Sequence, residues 1–182
     1  MTNLLGLGGF ARSGKDAVAD VLESMGWKRT YFSKSLNEAM KLINPLIDVT
    51  GLRYADLVNT VGYEDAKKTP EVRRLLQVLG TEVGRNLFGQ NVWSDLIKDE
   101  VTKVMNSGDS IVVTGVRYPN ELDMIRSLGG KTWWVHRPGY GPVNSHSSDN
   151  ALSYEDFDYV IMNDGRLEDL PGIVEKVLKF HE

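Results

Sequence analysis

Cysteine is absent from all 182 residues. That excludes a disulfide framework and any thiolate metal site. The three histidines, His136, His146 and His181, lie too far apart in pattern for zinc, so any metal must be a hard ion held by oxygen. No apolar run is long enough to span a bilayer, and the Met-Thr-Asn start has no basic lead-in to an apolar segment. A cytoplasmic protein with no membrane partner is expected. An excess of positive charge is also lacking: 21 Lys and Arg stand against 25 Asp and Glu, for a net charge of -4 without long like-charge runs. This argues against a footprint for duplex nucleic acid, while a small anion in a local basic pocket stays open. Repeats and low-complexity tracts are missing too.

What is present is a 41% hydrophobic chain of single-domain length. Short apolar runs alternate with amphipathic stretches, which predicts βαβ units. Leu4 to Leu7 reads as a strand, followed by a glycine-rich turn and then a helix over Asp16 to Met25. A second strand is predicted at Thr30 to Phe32, and a helix from about Ser35, with Ser35 and Glu38 as a capping box. Pro70 opens a helix whose stripe is Val72, Leu75, Leu76, Leu79 and Val83. Another stripe, Trp93 to Met105, ends at Asn106-Ser107-Gly108. Ile111-Val112-Val113 is consecutively apolar and β-branched, as a parallel strand covered on both faces requires. Thr132 to Val135 and Tyr159 to Met162 are further strands, and Leu167 to Phe180 is a closing helix whose regular part begins near Pro171-Gly172. The expected fold is α/β, a three-layer α/β/α arrangement on a five-stranded parallel sheet. It is read as one domain over 1–182, with a helical insertion at about 35–106 and a mobile lid at about 138–152.

Gly9-Phe10-Ala11-Arg12-Ser13-Gly14-Lys15 fits G-x-x-x-x-G-K between a predicted strand and a predicted helix. In that setting backbone N–H groups surround phosphates, the helix N-terminus adds partial positive charge, and the lysine reaches the β- and γ-phosphates. Gly9, Ala11, Arg12, Ser13, Gly14, Lys15, Asp16 and Ala17 are therefore candidate ATP contacts. Asp16 stands where a Ser or Thr would offer its hydroxyl to Mg²⁺. It has two readings, an oxygen ligand for the metal or an acid at a helix N-terminus.

Four stretches carry a resemblance through most of the chain: GFARSGKDAVADVL; RRLLQVLGTEVGRNLFG with the following VW; IVVTGVRYPNELDMIRSLGGK; and the tail from HRP through HSSDNAL to FDYVIMNDGRLEDL. In order and spacing they resemble the phage deoxynucleoside monophosphate kinases, within the P-loop nucleoside and nucleotide kinase group. The resemblance implies ATP- and Mg²⁺-dependent phosphorylation of a deoxynucleoside monophosphate to the diphosphate, supplying DNA precursors in the host cytoplasm. Partners would be small nucleotides, and a homodimer is compatible with the sequence.

The acceptor is a dianion that must approach a second phosphate, so cations are needed. Arg74, Gln77 and Arg85 share one face of a continuous helix, and Arg117 follows the central strand. Lys34, Glu121 and His146 complete the polar candidates, with Trp93 as either a base-stacking ring or core. Arg117 and Arg137, with Lys15, are the candidate catalytic residues for charge on the transferred group. Relatives usually carry an acid just before the Val-Arg pair; here that residue is Gly115, which puts weight on Asp16. Two other readings stay open: a nucleotide-binding switch or assembly module without kinase activity, and a kinase for another small metabolite.

Overall fold

In the computed structural model the described residues are 3–142 and 151–180. They form two compact units, one from residues up to Phe32 and from Lys98 onward, the other Ser33–Ile97. Among the described residues no helix is long and apolar enough to cross a membrane.

The first unit is a parallel sheet of five strands in the order β2-β3-β1-β4-β5. Its strands are β1 (Leu4–Gly8), β2 (Lys28–Tyr31), β3 (Ile111–Val116), β4 (Lys131–His136) and β5 (Tyr159–Met162). β1 lies in the middle and is wholly buried, pairing Leu5 with Val112 of β3 on one side and with Lys131 of β4 on the other. Leu5 and Leu7 join a core with Val18, Ala19 and Leu22 of α1 (Lys15–Ser24) and with residues of the last helix. The opposite face packs on the helix Pro119–Ser127, whose Ile125 lies against Gly6 and Gly130. Helices on both faces explain the unbroken apolar run of β3: a strand with no wet face has no place for alternating polar residues.

β2 begins two residues earlier than the sequence predicts. It is an edge strand, so Lys28 and Arg29 can pair through the backbone while the Lys28 side chain meets solvent and that of Arg29 turns to the acids of α1, and apolar patterning does not mark its start. The closing helix also has a prelude: a single tight turn at Leu167–Asp169 precedes the regular helix Leu170–Lys179. Its Leu170, Val174 and Val177 complete the core above β1.

The second unit is helical. In chain order, α2 (Lys34–Ile43), α3 (Tyr54–Val61), α4 (Tyr63–Ala66) and α5 (Pro70–Gln77) enclose Met40, Tyr54, Val58, Ala66, Val72 and Leu76. Inside that core the Tyr54 hydroxyl donates to Asn37 Oδ1 at 2.7 Å, which satisfies a buried polar pair. α2 starts at Lys34 after Ser33, so the capping box expected at Ser35 and Glu38 does not form, both residues lying inside the helix. The long helix expected from Pro70 is α-helical only to Gln77. From Val78 to Phe88 it is a π-helix. α6 (Val92–Asn106) then leads the chain back to β3. The remaining helices are numbered α7 (Pro119–Ser127) and α8 (Leu170–Lys179).

Candidate active site

In a parallel sheet ligands gather beyond the carboxyl ends of the strands. Here the loops after β3, β1 and β4 are neighbours there, because those three strands are adjacent. They carry Arg117, the Gly9–Lys15 loop and Arg137 respectively. The sheet order therefore brings together three candidates that are far apart in sequence.

The loop closes on itself. Ser13 N–H donates to Phe10 O at 3.2 Å, and Gly14, with φ of 99°, turns the chain into α1, where Val18 N–H reaches Gly14 O at 3.1 Å. Arg12 also has a positive φ, 63°, which non-glycine residues adopt at some cost and mostly at functional turns. Lys15 Nζ donates to Gly9 O at 2.8 Å and Phe10 O at 2.7 Å. The ammonium is thus held over the loop by its own carbonyls. Beneath the loop, the Phe10 ring meets Trp134 edge-on at 5.1 Å, and Trp134 meets Phe157 at 5.2 Å. Trp133 and Trp134 are both buried, as core and cover of β4.

Asp16 lies in the first turn of α1, and its side chain is 68% exposed. Its Oδ1 accepts from Arg29 Nη2 at 2.5 Å. Among the described residues no group of three or more His, Asp or Glu side chains could hold a metal. Asp16 is the carboxylate at the start of α1, and Mg²⁺ commonly completes its octahedron with phosphates and water.

Gly115 explains the missing acid on β3. The β1–β3 register shifts so that Leu7 faces Thr114 while Gly8 faces Val116, leaving Gly115 as a bulge with φ of 80°. A bulge in that conformation selects glycine, and a carboxylate there would carry backbone strain. Glu121 is 3% exposed, and its Oε2 accepts from Arg117 N–H at 2.7 Å and Tyr118 N–H at 3.2 Å. It secures the turn that carries Arg117. Arg137 is exposed and lies over the Tyr140 ring at 5.0 Å. Arg126 donates to the Asp156 carbonyl at 2.5 Å.

Lys34, Arg74, Gln77, Arg85 and Trp93 belong to the Ser33–Ile97 unit. Arg74 is forked onto Glu71 at 2.8 and 2.7 Å. That hydrogen bond, followed by their charge attraction, raises the Arg74 pKa, and the same bond holds the Glu71 carboxyl below its ordinary value. Arg85, by contrast, is 6% exposed and donates to Gln90 O at 2.8 Å. The expectation that Arg74, Gln77 and Arg85 share one face fails because the π-helix intervenes: its wider turns rotate Arg85 away from the position an α-helix would give. Trp93 is buried, donates from Nε1 to Gly80 O at 2.8 Å, and lies so close to Gly84 that a Cβ there would enter its ring. That is a packing role. Lys34 opens α2 and is partly buried. His146 and most of the predicted lid, 143–150, lie outside the described residues.

One residue escaped the sequence reading. Asn163, just after β5, donates from Nδ2 to Ser13 O at 2.8 Å, and its backbone N–H donates to His136 O at 2.8 Å. The available signal was the polar MNDGR stretch ending an apolar strand.

A profile of the deoxynucleotide monophosphate kinases matches residues 34–174. The chain belongs to this family. The matched region takes in nearly all of the second unit, Arg117 and Arg137, while the Gly9–Lys15 loop precedes it. The deoxynucleotide monophosphate kinase of Escherichia phage RB69 is 37% identical over 112 residues, 61% of this chain and 46% of that one. That of Enterobacteria phage T4 is 37% identical over 109 residues, 59% and 45%. The chain spans about half the length of these two family members. A dephospho-CoA kinase from Campylobacter jejuni has a similar fold, with a TM-score of 0.55 at 13% identity, covering 98% of this chain and 96% of that one.

Proposed function

We propose that this chain transfers the γ-phosphoryl group of ATP to a deoxynucleoside monophosphate, giving the diphosphate and ADP. The observation that carries this reading is the self-closed loop between β1 and α1 with Lys15 held over it, in a chain of this family.

The triphosphate would lie along the loop, where backbone N–H groups and the N-terminus of α1 favour negative charge. Lys15 then exchanges Gly9 O and Phe10 O for the β- and γ-phosphate oxygens, and because both carbonyls border the loop the exchange needs only a swing of its own side chain. Arg117 and Arg137, on either side of the loop, offset charge on the transferred group during direct in-line displacement, which needs positioning and charge stabilisation rather than a covalent intermediate. Arg74 and Gln77 on α5 are the candidates to hold the acceptor monophosphate, with Lys34 at the start of α2 and, from another face, Arg85 of the π-helix in the same unit.

Mg²⁺ fits the oxygen chemistry of Asp16, whose Oδ1 faces Arg29, and when bound it would supply charge neutralisation for the phosphates. Asp16 would hold it directly or through water.

The test is ADP release from ATP and Mg²⁺ with dAMP, dGMP, dCMP, dTMP and hydroxymethyl-dCMP as acceptors, with Lys15→Ala as control. Release that depends on an acceptor and on Lys15 is expected. One observation favours a second reading: the Gly115 bulge leaves β3 without an acid. ATP bound without turnover across the whole panel would replace the kinase with a nucleotide-binding switch.

A further inference from the structure

The loop that holds the phosphates is not held by its own sequence alone. Ser13 O sits one residue ahead of the first carbonyl that accepts a bond within α1, that of Gly14. Its partner comes from the far end of the sheet, Asn163 Nδ2 at 2.8 Å, 150 residues away in the chain. A carbonyl only accepts, so the amide edge facing it must be the NH₂. The contact is close: a Cβ on Gly14 would collide with Nδ2.

The peptide joining Ser13 to Gly14 is planar and trans, so its C=O and N–H point in opposite directions. Fixing Ser13 O toward Asn163 therefore fixes Gly14 N–H away from it. The same residue's backbone N–H donates to His136 O at 2.8 Å, and Arg137 follows directly. One residue thus ties the loop to the strand end that carries Arg137.

We propose that Asn163 is a positioning residue for the donor phosphates: its side-chain amide sets the Ser13–Gly14 peptide plane, and so the aim of Gly14 N–H. This rests on the reading of Gly9–Lys15 as the ATP phosphate site. Substituting the side chain leaves the backbone link to His136 in place, so variants isolate the loop contact.

Asn163→Asp keeps the shape but sets an oxygen against Ser13 O, and Asn163→Ala removes the contact without repulsion. Loss of one hydrogen bond with a repulsive contact in its place should weaken ATP·Mg²⁺ binding by about tenfold for the Asp variant, and less for the Ala variant. KM for the acceptor should stay unchanged. Inorganic tripolyphosphate, which has no base or ribose, should lose affinity by the same factor. A loss seen with ATP but not with tripolyphosphate would mean Asn163 touches the nucleoside, and overturns the proposal. Equal affinity for wild type and both variants also overturns it, while leaving the ATP site intact. If the wild-type protein binds neither probe, the phosphate-loop reading itself falls, and this inference with it. Near-ultraviolet circular dichroism checks that each variant is folded, and the Ala variant decides if the Asp variant is not.

Discussion

Arg29 Nη2 lies 2.5 Å from Asp16 Oδ1, and Nη1 of the same guanidinium reaches Asp20 at 2.7 Å and Glu23 at 3.3 Å. The three acids follow at four- and three-residue spacing on α1, so a single arginine on β2 gathers one stripe of the helix. Such exposed pairs contribute about 0–1 kcal/mol each, so the effect is on where Asp16 points rather than on how stable the fold is. Asp16→Asn should raise the Mg²⁺ concentration needed for half-maximal turnover and leave the melting temperature nearly unchanged. A titration of initial rate against Mg²⁺ reads this directly. An unaltered curve would restrict Asp16 to the helix N-terminus and Arg29.

Lys15→Ala removes the ammonium held by Gly9 O and Phe10 O. Turnover should fall by orders of magnitude while the circular dichroism spectrum is retained. Normal turnover in the folded variant would remove Lys15 from the mechanism.

Gly115→Asp places an acid near the end of β3, but on a bulge with φ of 80°. Open space surrounds the position, so the penalty is conformational rather than steric. It should cost about 1–2 kcal/mol, read by denaturant unfolding, with no drop in the Mg²⁺ requirement. A lower Mg²⁺ requirement would mean that the bulge can present a ligand after all.

The Arg74 fork onto Glu71 sets up a competition. Glu71→Gln weakens the fork and should lower the acceptor KM, whereas Arg74→Ala should raise it; if neither moves, Arg74 is a solvated surface residue. The pH sign follows from the depressed Glu71 carboxyl. Its favourable contribution is present above its unfolded pKa and is lost as the pH falls through the lower folded value. Both groups are exposed, so the effect on acid unfolding should be slight, and Glu71→Gln should flatten it.

Trp93→Phe keeps a ring against Gly84 but removes the donor to Gly80 O. Losing this part-buried hydrogen bond should destabilise by about 0.5–1.5 kcal/mol. Thermal unfolding checks this, and an unchanged midpoint would show that water replaces the indole N–H.

Much of the sheet can be read from residue pattern because burial on both faces writes itself into the sequence, as in Ile111-Val112-Val113. The turn from β1 into α1 is legible because glycines and a lysine at fixed spacing serve backbone geometry locally. Features that depend on partners distant in sequence are not. Nothing around Val78 announces the switch to a π-helix, since the same Leu79 and Val83 suit either winding until Trp93 and Gly84 are seen together. Arg29 reads as a solvated edge residue until α1 is laid beside it. Gly115 looks like a lost acid until the shift opposite Leu7 and Gly8 shows why glycine stands there. Asn163 is marked locally only as the start of a polar stretch after a strand, because its contact is with Ser13, 150 residues away.

The separation of 150 residues between Ser13 and Asn163 also bears on how the protein comes into being. β1 pairs with strands that begin at Ile111 and Lys131, so on the ribosome the loop sequence precedes both flanking strands and the residue that clamps it. At roughly 5–20 residues per second, about 8–30 s of synthesis separate Ser13 from the arrival of Asn163. The loop, translated well before its clamp, is thus among the last parts to take its working form, and a nascent chain released before Asn163 carries the loop motif without the clamp on it.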